Sequence, residues 1–100
     1  MNMILLRQGD DSNALGGKIQ FNLKTEIDLS GYSAVFQLCD FQQRFTDIAS
    51  KRLDVVIPSG ATAKLQVGRH FGALKIFDSR GLCKTIYDNI PFYIRKQVVD

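Results

Sequence analysis

Alternation of apolar and polar positions is clearest at Lys18–Lys24. Ile19, Phe21 and Leu23 fall on one side of an extended chain, and Lys18, Gln20, Asn22 and Lys24 on the other. A period of two is that of a strand with one wet face. Tyr32–Cys39 repeats it, with Ala34, Phe36 and Leu38 opposite Val35, Gln37 and Cys39. Apolar residues on both sides predict a strand inside a sheet rather than at its margin. Leu53, Val55 and Ile57 alternate with Asp54 and Val56, and Pro58-Ser59-Gly60 closes that strand, since proline has no N–H to give to a ladder.

The remaining runs are shorter. Met3–Arg7, closed by Gln8-Gly9, reads as an edge strand, and Gly9–Gly17 as a loop. Asp28-Leu29-Ser30-Gly31 and Asp78-Ser79-Arg80-Gly81 both put Asp first and Gly fourth, a turn signature. The second turn joins Phe71–Asp78 to Leu82–Asp88 as a hairpin. Its inward face stays open at this level: Leu74 and Ile76 compete with Ala73 and Phe77, and Leu82 and Ile86 with Cys83 and Tyr87. Asp40–Gln43 reads as a polar turn, Phe45–Ala49 as a short strand, and Phe92 with Ile94 as a last edge strand after Pro91. Ala61–Val67 is the one stretch of helical character, enough for a single turn near Ala61–Leu65.

The sum is an all-β chain of seven or eight short strands at spacings of about 8–12 residues, the pattern of a β-sandwich or small barrel. With 100 residues and no linker, a single domain over 1–100 is expected. Ile19, Phe21, Leu23, Phe36, Leu38, Leu53, Val55, Ile57, Leu74 and Ile76 are the expected core. The region Tyr32–Ile94 shows no helix of about ten residues, which excludes strand–helix–strand folds.

Composition adds little class information, with 45% hydrophobic and 23% charged residues. No apolar run approaches the roughly 20 residues of a membrane-spanning helix, and the apolar start is too short for a signal peptide. Net charge is +3, but the thirteen Lys and Arg are scattered among ten acids without a basic cluster. A mixed, soluble surface is the plainer reading and nucleic acid an unlikely partner, although strands can collect distant charges onto one face. Glu26 is the only glutamate, the other acids being Asp, which fits a chain of many turns.

Candidate chemistry is sparse. Cys39 and Cys83 lie 44 positions apart without metal-ligand spacing and are read as two reduced, buried thiols. His70 is the only histidine, read as a solvated loop residue. Asp10-Asp11-Ser12-Asn13 offers oxygen ligands for a cation, but not in the spacing of a known calcium loop, so an ordinary polar loop is preferred. No catalytic, cofactor or metal residue is assigned. Ten aromatic residues leave Phe45, Phe77, Tyr87 and Tyr93 as candidates for an interface on the face turned away from the core.

The order of motifs carries a resemblance. Leu6-Arg7-Gln8-Gly9-Asp10 opens the chain; Asp28-Leu29-Ser30-Gly31-Tyr32 leads into Ala34–Leu38; Leu65-Gln66-Val67-Gly68 precedes the hairpin closed by Asp78–Gly81; Ile90-Pro91-Phe92-Tyr93-Ile94 ends it. This resembles the immunoglobulin-like domain at the N-terminus of phage baseplate upper proteins and related tail proteins. The resemblance implies an immunoglobulin-like antiparallel β-sandwich with one short helical turn. It implies a non-enzymatic structural module of a phage or prophage tail, in the virion, contacting other tail proteins and further copies of itself. It brings no catalytic residue. A small nucleic-acid-binding domain and a carbohydrate-binding or adhesion domain are the alternatives.

Overall fold

In the computed structural model, which describes residues 3–98, seven strands alternate with turns. They are β1 (Ile4–Arg7), β2 (Ile19–Asn22), β3 (Ser33–Leu38), β4 (Phe41–Phe45), β5 (Arg52–Val55), β6 (Gly68–Phe77) and β7 (Cys83–Arg95). A 3-10 turn spans Ala14–Gly16, and one helical turn, α1, spans Ser59–Thr62. Five strands form one sheet in the order β1-β7-β6-β3-β4, and β2 pairs with β5 in a second. All pairs are antiparallel except β1 with β7, which run parallel with Ile4 opposite Phe92. The chain is therefore all-β with a mixed principal sheet.

One core lies between the two sheets. Every residue of the expected core is buried, joined by Leu29, Ala34, Ile48, Leu65, Ile90, Phe92 and Ile94. Phe36 of β3 is its centre. Its ring stands 6.0 Å from that of Phe21 on the opposite sheet, 5.9 Å from Phe92 and 6.4 Å from Phe41, the separations of stacked and tilted aromatic pairs. The open choice on the hairpin resolves in favour of Leu74 and Ile76 for β6.

Two strand readings and one helical reading need correction. First, the turn after β3 is only Cys39-Asp40, and β4 starts at Phe41 and ends at Phe45, so Phe45–Ala49 is not a strand. The alternation was masked because Gln43 takes an inward position between Phe41 and Phe45. It is a polar residue placed to bridge the sheets: Val56 N–H donates to Gln43 Oε1 at 2.8 Å, and Gln43 Nε2 donates to Asp54 O at 3.2 Å. Second, Phe92–Ile94 is not a separate edge strand. β7 runs continuously through Pro91, and β1 covers its end. Pro91 sits between an irregular stretch and the start of pairing to β1 at Phe92, where a missing donor is tolerated. Third, the helical turn begins at Ser59, immediately after Pro58, instead of at Ala61.

β7 is also irregular against β6. Gly72–Lys75 of β6 faces Thr85–Ile90 of β7, which holds two more residues over the same span. Such insertions break the period of two. They turn Tyr87 inward opposite Leu74 while leaving Leu82, Cys83 and Ile86 exposed.

The sheets differ greatly in reach. β7 has thirteen residues and β2 and β5 have four each. At about 3.3 Å per residue the former spans roughly 43 Å and the latter roughly 13 Å. The molecule measures 48 × 23 × 23 Å, and the β6–β7 hairpin extends past the small sheet.

Candidate binding surfaces

The four aromatic candidates do not form one surface. Phe45 and Tyr87 turn inward and pack against the core, Tyr87 with its ring 6.1 Å from that of Phe21. For Phe45 the reason is the parity of β4, and for Tyr87 the extra residues of β7. Phe77 and Tyr93 do lie on the outward face, but at opposite ends of it: Tyr93 pairs with Arg69 at the start of β6, and Phe77 with Cys83 at its end.

The cysteines are free and both exposed, contrary to the buried placement expected. Cys39 occupies the β3–β4 turn with a φ of 54°, and Cys83 starts β7 opposite Phe77, on the outward face of the sheet. His70 is likewise not a loop residue. It lies on β6 opposite Phe92, half-buried, and its Nε2 is 2.7 Å from Gln66 O. A carbonyl only accepts, so Nε2 carries the proton and Nδ1 is left as an acceptor. Cys39 Sγ is 3.5 Å from that Nδ1. Partial burial pushes the Cys39 thiol above its ordinary range, and neighbouring Asp40 pushes the same way. The contact is thus a thiol–imidazole hydrogen bond in which burial favours keeping the proton on sulfur. No sequence spacing signalled it, because the partners are 31 positions apart.

The Asp10–Asn13 loop is bound to its own scaffold. Asp11 Oδ1 accepts from Asn13 N–H at 2.8 Å, Ser12 Oγ accepts from Ile57 N–H at 2.8 Å, and Asp10 O accepts from Thr62 Oγ1 at 2.7 Å. Among the described residues no group of three or more His, Cys, Asp or Glu is placed to hold a metal ion.

The overhanging hairpin borders an apolar concavity. A groove of about 500 Å³ lies between its inner face and the loop before β3, lined by Ile27, Leu29, Tyr32, Ile76, Leu82 and Ile86. Ile27 and Leu82 are 60% and 59% exposed there, well beyond what a closed core would leave. Alongside it, β7 pairs with β6 on one flank only: β1 begins at Phe92, so among the described residues no strand covers the other flank of Cys83–Pro91. The hairpin tip is held by Asp78, whose Oδ1 accepts from Leu82 N–H and Arg80 N–H, both at 2.9 Å. The Leu82 N–H bond, with smaller help from Arg80, keeps the Asp78 carboxyl below its ordinary range. Gly81 supplies the φ of +83° that closes the turn.

No protein-family model and no curated protein matches this sequence. Among the described residues no helix is long and apolar enough to cross a membrane.

Proposed function

We propose that this chain is an immunoglobulin-like β-sandwich serving as a non-enzymatic assembly module of a phage or prophage tail, working through protein–protein contacts in the virion. The strand order supports the fold. β7-β6-β3-β4 facing β2-β5 follows the G-F-C-C′ over B-E arrangement of that architecture. The motif order described above supports the tail assignment.

The observation that carries the mechanism is the open flank of β7 beside the apolar groove. An unpaired strand edge offers backbone donors and acceptors to a second chain, and side-chain pockets beside it select the sequence that adds. Here the edge is Cys83–Pro91 and the pocket is that of Ile27, Leu82 and Ile86. The partners are other tail proteins and further copies of this chain.

The test is immunoblotting of gradient-purified virions after induction of a host carrying the gene. Copurification with tail fractions is expected, together with its loss on Ile86→Lys, which puts a charge beside the edge. Absence of the wild-type chain from particles would overturn the reading.

A further inference from the structure

The outward face of the five-stranded sheet concentrates charge that the sequence scatters. Residues directly opposite in adjacent strands share a face. The pairs Leu5–Tyr93, Arg7–Arg95, Tyr93–Arg69, Pro91–Phe71, Lys75–Val35 and Val35–Arg44 therefore lie on one surface. It carries five cations, Arg7, Arg44, Arg69, Lys75 and Arg95, from four different strands, β1, β4, β6 and β7. The only carboxylate on these strands is Asp88, in the irregular stretch of β7. The other described acids sit in loops or on β5. Among the described residues the two ion pairs are Arg52–Asp54 and Arg80–Asp78, so none of the five cations has a carboxylate within 4.0 Å.

Arg7 and Arg95 are direct cross-strand partners. Like charges placed so are destabilising; Arg7 Nη1 donates to Lys96 O at 2.9 Å, but neither guanidinium meets a carboxylate among the described residues. Between the cations stand exposed apolar groups: Phe71 is 56% exposed, Leu5 54% and Tyr93 38%. Phe71 and Tyr93 are diagonal neighbours on adjacent strands.

We propose that this face binds single-stranded nucleic acid, its phosphates on the arginines and its bases on Phe71 and Tyr93. This inference is independent of the tail assignment. Four of the five cations are arginines, whose planar guanidinium both forks onto phosphate and stacks on bases. The face of a five-stranded sheet is broader than the two-stranded ribbon that a major groove admits, whereas aromatic rings presented on a sheet are platforms for unstacked bases. A second copy of the chain is disfavoured, since a symmetric contact would press cation on cation. An anionic membrane is disfavoured because the apolar side chains alternate with cations and form no continuous apolar layer.

The test is fluorescence anisotropy with a labelled twelve-nucleotide oligo-dT at 50 and 200 mM NaCl. Neutralising about three to five phosphates on a single strand predicts a fall in affinity of about 20- to 100-fold between those salts. Phe71→Ala is expected to weaken binding about tenfold or more at both salts, through lost stacking. Arg69→Gln is expected to lower the salt slope by about 0.7. Both residues are surface residues, and far-ultraviolet circular dichroism checks that the variants remain folded. No binding at 50 mM salt would overturn the proposal. So would equal affinity for a duplex of the same length, or equal displacement by polyglutamate or by phosphatidylserine vesicles; these outcomes assign the face to unspecific polyanions, an acidic protein or a membrane.

Discussion

The hydroxyl of Thr62 donates to the carbonyl of Asp10 at 2.7 Å and accepts from the N–H of Gly9 at 3.1 Å. Thr62 is the one fully buried polar residue among the core positions, and it joins the helical turn α1 to the loop after β1, more than fifty residues earlier. Thr62→Val keeps the shape but leaves a backbone donor and acceptor unpaired. A loss of about 1–3 kcal/mol in urea denaturation is expected, whereas Thr62→Ser keeps most of the stability. Equal stability of the Val variant and the wild type would show the two backbone groups satisfied some other way.

Gly72 is needed for space. A Cβ there would stand 2.9 Å from Phe92 Cε1, 3.2 Å from Phe36 Cε1 and 3.3 Å from Gln37 O. Both rings are fully buried and one neighbour is backbone, so little can yield. Gly72→Ala is expected to cost about 1–3 kcal/mol by overpacking, measured as a lower urea midpoint at unchanged slope.

Phe36 is the hub of the aromatic core, with rings of Phe21, Phe41 and Phe92 around it. Phe36→Ala removes the link between the two sheets and leaves a cavity. A loss of about 3–5 kcal/mol is expected, a large share of the stability of a 100-residue domain. Phe71→Ala, on the outward face, serves as the contrast and is expected to leave the melting temperature nearly unchanged.

Acid sensitivity follows from Asp78 and Asp28. Both carboxyls lie below the ordinary value of 3.8, Asp78 chiefly through the Leu82 N–H and Asp28 through the N–H and then the hydroxyl of Ser30. A depressed folded value makes the contribution complete above the unfolded value and lost as pH falls through the folded one. Stability is therefore expected to decline below about pH 4. Asp78→Asn should flatten that decline, read from thermal melts between pH 6 and pH 2.5. An unchanged acid profile in the variant would remove Asp78 from the account.

The two thiols are separately reactive. Both Cys39 and Cys83 are free and exposed, so native protein is expected to titrate two thiols with a disulfide reagent, and reductant is expected to leave the melting temperature alone. Cys39, with its proton held toward His70 and its thiol pushed up by burial, is expected to react more slowly at pH 8. The single-cysteine variants Cys39→Ser and Cys83→Ser assign the two rates. A faster Cys39 would contradict the hydrogen-bond geometry.

The alternating stretches at Ile19–Leu23, Ala34–Leu38 and Leu53–Ile57 gave up their inward residues at once, because each is a local period of two with one face greasy. The two Asp-first turns were equally legible, since Asp28 and Asp78 act within four residues of themselves. Tyr87 was not, because one extra residue of β7 between Thr85 and Tyr87 shifts its side, and that shift exists only relative to β6. Gln43 was not, because an inward glutamine makes sense only once Asp54 and Val56 are beside it. The same holds for the Cys39–His70 contact and for the basic face.

Local pattern by itself determined that this chain is β-rich, where most strands lie and ten of the residues in its core, since alternation and turn chemistry act between near neighbours along the backbone. Tertiary structure alone decided that the first strand lies parallel to the last, that β7 runs unbroken through Pro91, and that Arg7 faces Arg95. Those outcomes depend on register between segments up to 88 positions apart, which is set by packing and backbone pairing rather than by anything written in either segment.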